Sequence, residues 1–185
     1  SFFGANPKEF YRFYKAKLLQ EGILPNKERK KLAELEKVGK LKAIVTQNID
    51  GLHQMAGSEK VYELHGSVLR NYCMNCGEFY DADYIRNSLD FPICKKCGGI
   101  VKPDVVLYEE GLNDKIIRGS IDAISKADCL IIGGTSLTVQ PAASLVQYFS
   151  GKHLVIINKG DVFMPNGVEL LIKEKIGEVL DNIKC

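Results

Sequence analysis

The stretch Leu41-Lys42-Ala43-Ile44-Val45-Thr46-Gln47-Asn48-Ile49-Asp50-Gly51 decides the fold. Its first half, 41–45, is short, apolar and rich in branched side chains, the composition of a strand. Its second half turns polar at once, with amides and a carboxylate ahead of a glycine. A strand that empties into such a turn suits an open α/β sheet, whose ligands bind beyond the carboxyl ends of the strands. Working outward, further strands are expected at 61–64, 104–107, 129–132, 154–157 and 168–172. Several are continuous apolar runs, as in sheets covered on both faces. Helical segments at 115–125, 141–149 and 176–183 lie between or after them. Near the front, Asn6-Pro7-Lys8-Glu9 reads as an N-cap, a helix-opening proline and a capping-box glutamate. A second helix is expected from 26 to about 38, stopping at Gly39. The alternation predicts an α/β fold with an open parallel sheet and helices on both faces.

The segment 67–102 interrupts this alternation. Cys73 and Cys76, then Cys94 and Cys97, form two C-x2-C pairs separated by seventeen residues. A two-residue gap lets a tight turn aim two thiolates at one ion, and two such knuckles complete a tetrahedron. Gly77, Gly98 and Gly99 follow the knuckles and supply backbone freedom. Two disulfides in a secreted protein are the competing reading. Four thiolates would saturate zinc, so one structural zinc ion per chain is expected, in a small inserted ribbon-like lobe. Cys129 lies in an apolar run and is expected to be a buried small hydrophobe.

Composition sets the outer limits. The chain has 185 residues, with 45% apolar and 26% charged, an ordinary globular balance. Its net charge of +2 gives no electrostatic reason for nucleic acid or an anionic membrane surface as partner. No apolar run approaches the ~20 residues that span a bilayer, and no charged-then-apolar leader is read, so the expected compartment is cytoplasmic. Oligomeric state is not legible.

Three turns carry candidate chemistry. Gln47, Asn48, Ile49 and Asp50 could bind hydroxyls, an amide or a water; equally, Asp50 could simply cap a short helix at 51–56. Gly133-Gly134-Thr135-Ser136 lies between an apolar strand and a helix, where backbone N–H groups can approach a phosphate. Asn158 ends the strand at 154–157, placed for a ribose hydroxyl or for a strand-ending turn. His65 sits where a strand opens into a loop and can serve as a general base or as a structural histidine. His53 and His153 show no obvious partner.

Together these pieces resemble the sirtuins, the NAD-dependent protein-lysine deacylases. The matching residues are Thr46-Gln47-Asn48-Ile49-Asp50-Gly51-Leu52-His53 with Ala56-Gly57, then Glu63-Leu64-His65-Gly66-Ser67 and the four cysteines at family spacing. Lys102-Pro103-Asp104-Val105-Val106, Gly134-Thr135-Ser136-Leu137 with Pro141-Ala142, and Ile156-Ile157-Asn158 follow in order. The resemblance implies a Rossmann-like NAD-binding lobe (1–66 and 103–185) and a zinc lobe (67–102) closing over a cleft for an acyl-lysine peptide. It implies that Asn48, Ile49 and Asp50 line the nicotinamide pocket and that Gln47 contacts the adjoining ribose. His65 would be the general base. Gly134, Thr135, Ser136 and Asn158 would hold the phosphate and adenosine half, with Ile176 near the adenine. Val105 and Val106 would lie along the acyl-lysine path. The implied reaction moves an acetyl or other acyl group from lysine to ADP-ribose, giving nicotinamide, O-acyl-ADP-ribose and free lysine.

Three departures stand out. The family usually shows aromatic-Gly-Glu where this chain has Tyr108-Glu109-Glu110, and a threonine a few residues after Asn158 where Lys159-Gly160-Asp161-Val162-Phe163 stands. The family also opens with a strand, a Gly-Ala-Gly-Ile-Ser-type phosphate turn and a Gly-Ile-Pro-Asp-Phe-Arg-type loop, none of which follows Ser1. The expectation is that the natural protein carries them upstream. The alternatives are a non-catalytic zinc-stabilised module that binds peptide or ADP-ribose, and a zinc-ribbon nucleic-acid binder.

Overall fold

Helix starts follow the sequence signals. In the computed structural model, which describes residues 2–140 and 142–184, Asn6 accepts a hydrogen bond from the Glu9 amide at 3.3 Å with Pro7 opening the helix. Asn26 does the same for Arg29 at 3.0 Å. Along the chain come α1 (Phe2–Ala5), α2 (Pro7–Lys17), α3 (Lys27–Lys37), β1 (Ile44–Thr46), α4 (Leu52–Met55), β2 (Val61–Glu63), β3 (Gly66–Cys73), β4 (Phe79–Tyr80) and α5 (Ala82–Asn87). After them come β5 (Val101–Val105), α6 (Asp114–Ser125), β6 (Cys129–Gly133), α7 (Ala142–Leu145), a short 3-10 turn (Val146–Tyr148), β7 (His153–Ile157), β8 (Leu170–Ile172) and α8 (Ile176–Asp181). Among the described residues, no helix is long and apolar enough to cross a membrane.

The chain divides into two compact units. The first comprises Ser1–Ile23, Asn48–Gly51 and His65–Leu112. It holds the antiparallel sheet β4-β3-β5 and a core in which Phe3, Tyr11, Tyr14 and Leu19 pack with Val68, Cys73, Ile85, Cys94 and Val101. The Tyr11 hydroxyl donates to the Val101 carbonyl, tying α2 to β5. The N-terminal helices and residues 101–112 therefore pack with the cysteine segment, because their aromatic and branched side chains share its core.

The second unit comprises Leu24–Gln47, Leu52–Leu64 and Asn113–Cys185. Here β1 pairs with β2, and β6, β7 and β8 pair in order, all in parallel. Ile132, Leu154 and Ile156 form one buried cluster. Leu64, Ile124 and Leu145 form another, against which Ile116, Ile117 and Ile121 of α6 pack at helical spacing. The α/β class with parallel sheets is as expected.

Particular elements differ from expectation. The strand expected at 104–107 runs Val101–Val105 and pairs antiparallel with β3, not with a parallel sheet. The strand expected at 41–45 runs Ile44–Thr46, and the helix expected at 141–149 is α7 followed by the 3-10 turn, with Pro141 outside the described residues. β3, β4 and α5 carried no sequence signal strong enough to be read inside the cysteine segment. Cys129 is exposed, not buried, because it opens β6 on the side away from Leu130 and Ile132. His153 does have a partner, the Glu169 carboxylate, at 2.6 Å from Nδ1.

Candidate functional site

The first unit gathers the cysteines, His65, Asn48, Ile49, Asp50, Val105 and Val106. The sulfurs of Cys73, Cys76, Cys94 and Cys97 all lie within 4.8 Å of one another. Three of these approaches measure 3.4 Å (Cys73–Cys97), 3.6 Å (Cys76–Cys94) and 3.4 Å (Cys76–Cys97). Such gaps are far beyond a disulfide bond and close to the ~3.8 Å edge of a tetrahedron with ~2.3 Å zinc–sulfur bonds. The donor set therefore fits zinc and closes its coordination. In each knuckle a positive-φ glycine folds back, the Gly77 amide onto the Cys73 carbonyl at 3.0 Å and the Gly98 amide onto the Cys94 carbonyl at 2.9 Å. Gly99 has ordinary φ; what fixes it is space, since a Cβ there would sit 2.7 Å from the Asn75 side chain. Burial pushes the Cys94 thiol up, but the Tyr80 hydroxyl at 3.3 Å and the Cys97 and Lys96 amides outweigh it and bring it down to about 6. Cys73 is also held below the ordinary thiol value, whereas the neighbouring sulfurs push Cys76 and Cys97 up, so the four thiols divide into two that favour thiolate and two that favour the protonated form.

His65 occupies the turn between β2 and β3, half-buried. Its carbonyl accepts the Val106 amide at 3.1 Å, which sets the histidine beside the end of β5. Gly66 follows at φ +76°, where a Cβ would lie 1.8 Å from the Asp104 carbonyl oxygen, so only glycine lets β3 and β5 approach this closely. The turn of Asn48, Ile49 and Asp50 is held by a bond from the Val68 amide to the Ile49 carbonyl at 2.9 Å. One strand, β3, therefore ties the turn, the histidine and the two valines into one neighbourhood.

The second unit gathers Gln47, Gly134, Thr135, Ser136, Asn158 and Ile176. Gly134, at φ +64°, follows β6 and donates to the Ile157 carbonyl at 3.1 Å. Asn158 follows β7 and donates its backbone amide to Ile172 at 3.1 Å. Its side-chain amide donates to the carbonyls of Gly160 and Asp161, at 3.1 and 3.3 Å, closing its own turn. Ile176 packs its Cδ1 against Gly133, where a Cβ would be only 1.9 Å away. The carboxyl ends of adjacent parallel strands thus present Gly134, Thr135, Ser136 and Asn158 together, where α/β sheets take ligands. No helix starts directly after the glycine pair; the chain loops to α7, so backbone and hydroxyl donors, not a helix terminus, supply polarity here. These donors suit phosphate oxygens and sugar hydroxyls, so the residues fit a dinucleotide.

A four-cysteine zinc centre in one unit, with a dinucleotide-type strand edge in the other, defines a zinc-bearing α/β nucleotide-dependent protein. The sequence profile of the Sir2 family matches residues 1–141. A protein named NAD-dependent protein deacetylase from Clostridium perfringens is 62% identical over 184 residues, covering 99% of this chain and 75% of that protein. A solved structure described as Sir2 bound to acetylated peptide superposes with a TM-score of 0.89 at 37% identity, over 97% of this chain and 78% of that one. Another, of Sir2 with an inhibitor, 2'-O-acetyl-ADP-ribose and deacetylated p53 peptide, gives 0.88 at 38% identity, over 97% and 79%. The chain belongs to the Sir2 family.

Proposed function

We propose that this chain uses NAD to remove acetyl groups from protein lysines, giving nicotinamide, O-acetyl-ADP-ribose and free lysine, and that it does so in the cytoplasm. The observation that carries the reading is the neighbourhood built on β3, where a half-buried histidine, an amide- and carboxylate-bearing turn and the Val105-Val106 segment are tied by backbone bonds. The functional division is an NAD-binding part, 1–66 and 103–185, and a zinc lobe, 67–102.

Asn48 and Asp50, with the Ile49 backbone, take the nicotinamide amide and position a water. Gln47 takes the neighbouring ribose. Gly134, Thr135, Ser136 and Asn158 take the phosphate and adenosine half, with Ile176 against the adenine. Val105 and Val106 line the acyl-lysine path. When bound, NAD supplies a ribose carbon that accepts the acyl oxygen as nicotinamide leaves. His65 serves as general base, accepting a proton from a ribose hydroxyl at an imidazole nitrogen. With Cys73, Cys76, Cys94 and Cys97 all bound, zinc would have no open coordination position, so it would support the fold and not polarise the substrate.

Incubation with NAD and an acetyl-lysine peptide should release nicotinamide in step with deacetylated peptide. Release of neither product overturns the reading. Tight ADP-ribose binding without turnover would instead support the non-catalytic module.

A further inference from the structure

The ladder between β3 and β5 breaks at one place. Ser67 pairs with Asp104 and Asn71 with Pro103, so Val68, Leu69 and Arg70 bulge out of β3 opposite two consecutive residues of β5. Pro103 has no amide hydrogen to continue the ladder, which gives the break its physical cause. Inside the bulge the backbone is redirected. The Val68 amide leaves the ladder and bonds the Ile49 carbonyl at 2.9 Å. The Leu69 side chain lies over Gly51, where a Cβ would meet Leu69 Cδ1 at 2.4 Å. Gly51 itself holds φ +68°, so both its conformation and its bareness serve this contact.

Two side chains close the bulge. Ser67, almost fully buried, accepts the Leu69 amide on its hydroxyl at 3.2 Å. Arg70 bonds Asp104 through Nε at 2.9 Å, bridging the mouth of the bulge to β5. Arg70 and Asp104 are 39% and 44% exposed, so the ion pair is too wet to hold the fold together. Its geometric effect is to fix where residues 68 and 69 point, and those residues hold the Asn48–Gly51 turn.

From this geometry we infer that Ser67 and Arg70 are positioning residues: the bulge they close sets the turn of Asn48, Ile49 and Asp50 against His65. The inference rests on the nicotinamide role given to that turn. Neither side chain touches the reacting atoms; each acts through the Val68 amide and Leu69. Because misplacement by about an ångström can cost up to ~100-fold, loosening the bulge should weaken the nicotinamide end of NAD while sparing global structure.

The test uses the zinc-loaded full-length protein with NAD and an acetyl-lysine peptide. Arg70→Asp should raise the KM for NAD and the inhibition constant for nicotinamide by about tenfold, with thermal midpoint and zinc content unchanged. The charge swap Arg70→Asp with Asp104→Arg should restore both constants, which a general loss of stability would not do. Ser67→Ala should shift them the same way, and Ser67→Thr, which keeps the hydroxyl, should not. Unchanged constants in Arg70→Asp and Ser67→Ala, or no recovery in the swap, overturn the inference. His65→Ala measured alongside separates the two readings. Turnover lost there with normal constants in the bulge variants sinks the positioning role alone. Turnover retained there sinks the general-base assignment instead.

Discussion

Glu109 holds a backbone φ of +73°, one of two positive-φ positions occupied by residues other than glycine among those described. It stands where the family pattern carries glycine, so a side-chain-bearing residue occupies a left-handed position that glycine would enter freely. A left-handed conformation costs a side-chain-bearing residue about 1–2 kcal/mol, while glycine enters it freely but loses about 0.5–1 kcal/mol more chain entropy on folding. Glu109→Gly should therefore stabilise the protein by about 1 kcal/mol, raising the thermal midpoint by roughly 2–4 °C. A calorimetric midpoint that stays put or falls would show that the glutamate side chain contributes something the turn needs. At this scale the sequence was informative wherever a residue type has few other uses. Four cysteines in two C-x2-C pairs converge on one point, and His65 and the amide-rich turn come just after β2 and β1. Ser67 and Arg70 were not read as functional, because their effect depends on a proline in another strand that no local pattern connects to them.

The loop after β5 is closed by a single carboxylate. Glu110 accepts the Leu107 amide at 2.9 Å and the Lys102 ammonium at 3.0 Å. Burial pushes its pKa up, but the Leu107 amide and the Lys102 charge outweigh that and hold it below the ordinary carboxylate value. A depressed folded pKa means the stabilisation is complete above the unfolded carboxylate pKa and disappears as pH falls through the folded one. The Leu107 amide should therefore lose its protection against hydrogen exchange on acidification, beginning below the ordinary glutamate range. In Glu110→Gln the protection should no longer follow this titration; a variant with the parent's pH dependence would exclude the carboxylate as the latch. The element also shows why β5 was misplaced by sequence reading. The apolar run Val105-Val106-Leu107 looks like the strand, yet Lys102, Pro103 and Asp104 pair in the ladder while Leu107 bonds locally to Glu110. Pairing is decided by β3, a strand whose charged and aromatic residues masked its period. By contrast β6 and β7 were legible, because continuous branched runs in parallel sheets leave few other structures open.

Across the whole molecule, each unit has its own hydrophobic core. Phe3, Tyr11, Val68, Cys73, Cys94 and Val101 belong to one cluster, while Ile132, Leu154 and Ile156, and Leu64, Ile124 and Leu145, belong to others. Two of the four metal-binding cysteines, Cys73 and Cys94, are thus core residues of the first unit, and among the described residues all four ligands lie in that unit. The sheet of the first unit is small, with β4 only two residues long, and its core includes two of the zinc ligands, so the metal is built into what holds residues 67–102 together. Metal-binding free energy in such a site is folding free energy, and removing the ion leaves four thiols crowded at one point. The second unit rests on parallel strands and an amphipathic α6 that involve no ligand. Chelation should therefore release about one zinc per chain and open the molecule unevenly. In hydrogen-exchange mass spectrometry, peptides from β3 and β5 should lose protection while those from β6 and β7 keep it. Deacetylation should vanish with the first unit, because His65, Ile49 and Val106 all hang from β3, and should return when zinc is restored. Protection of β3 that survives complete zinc loss would reduce the ion to an ornament on a self-sufficient fold. Simultaneous loss in β3 and β7 would show that the two cores stand or fall as one.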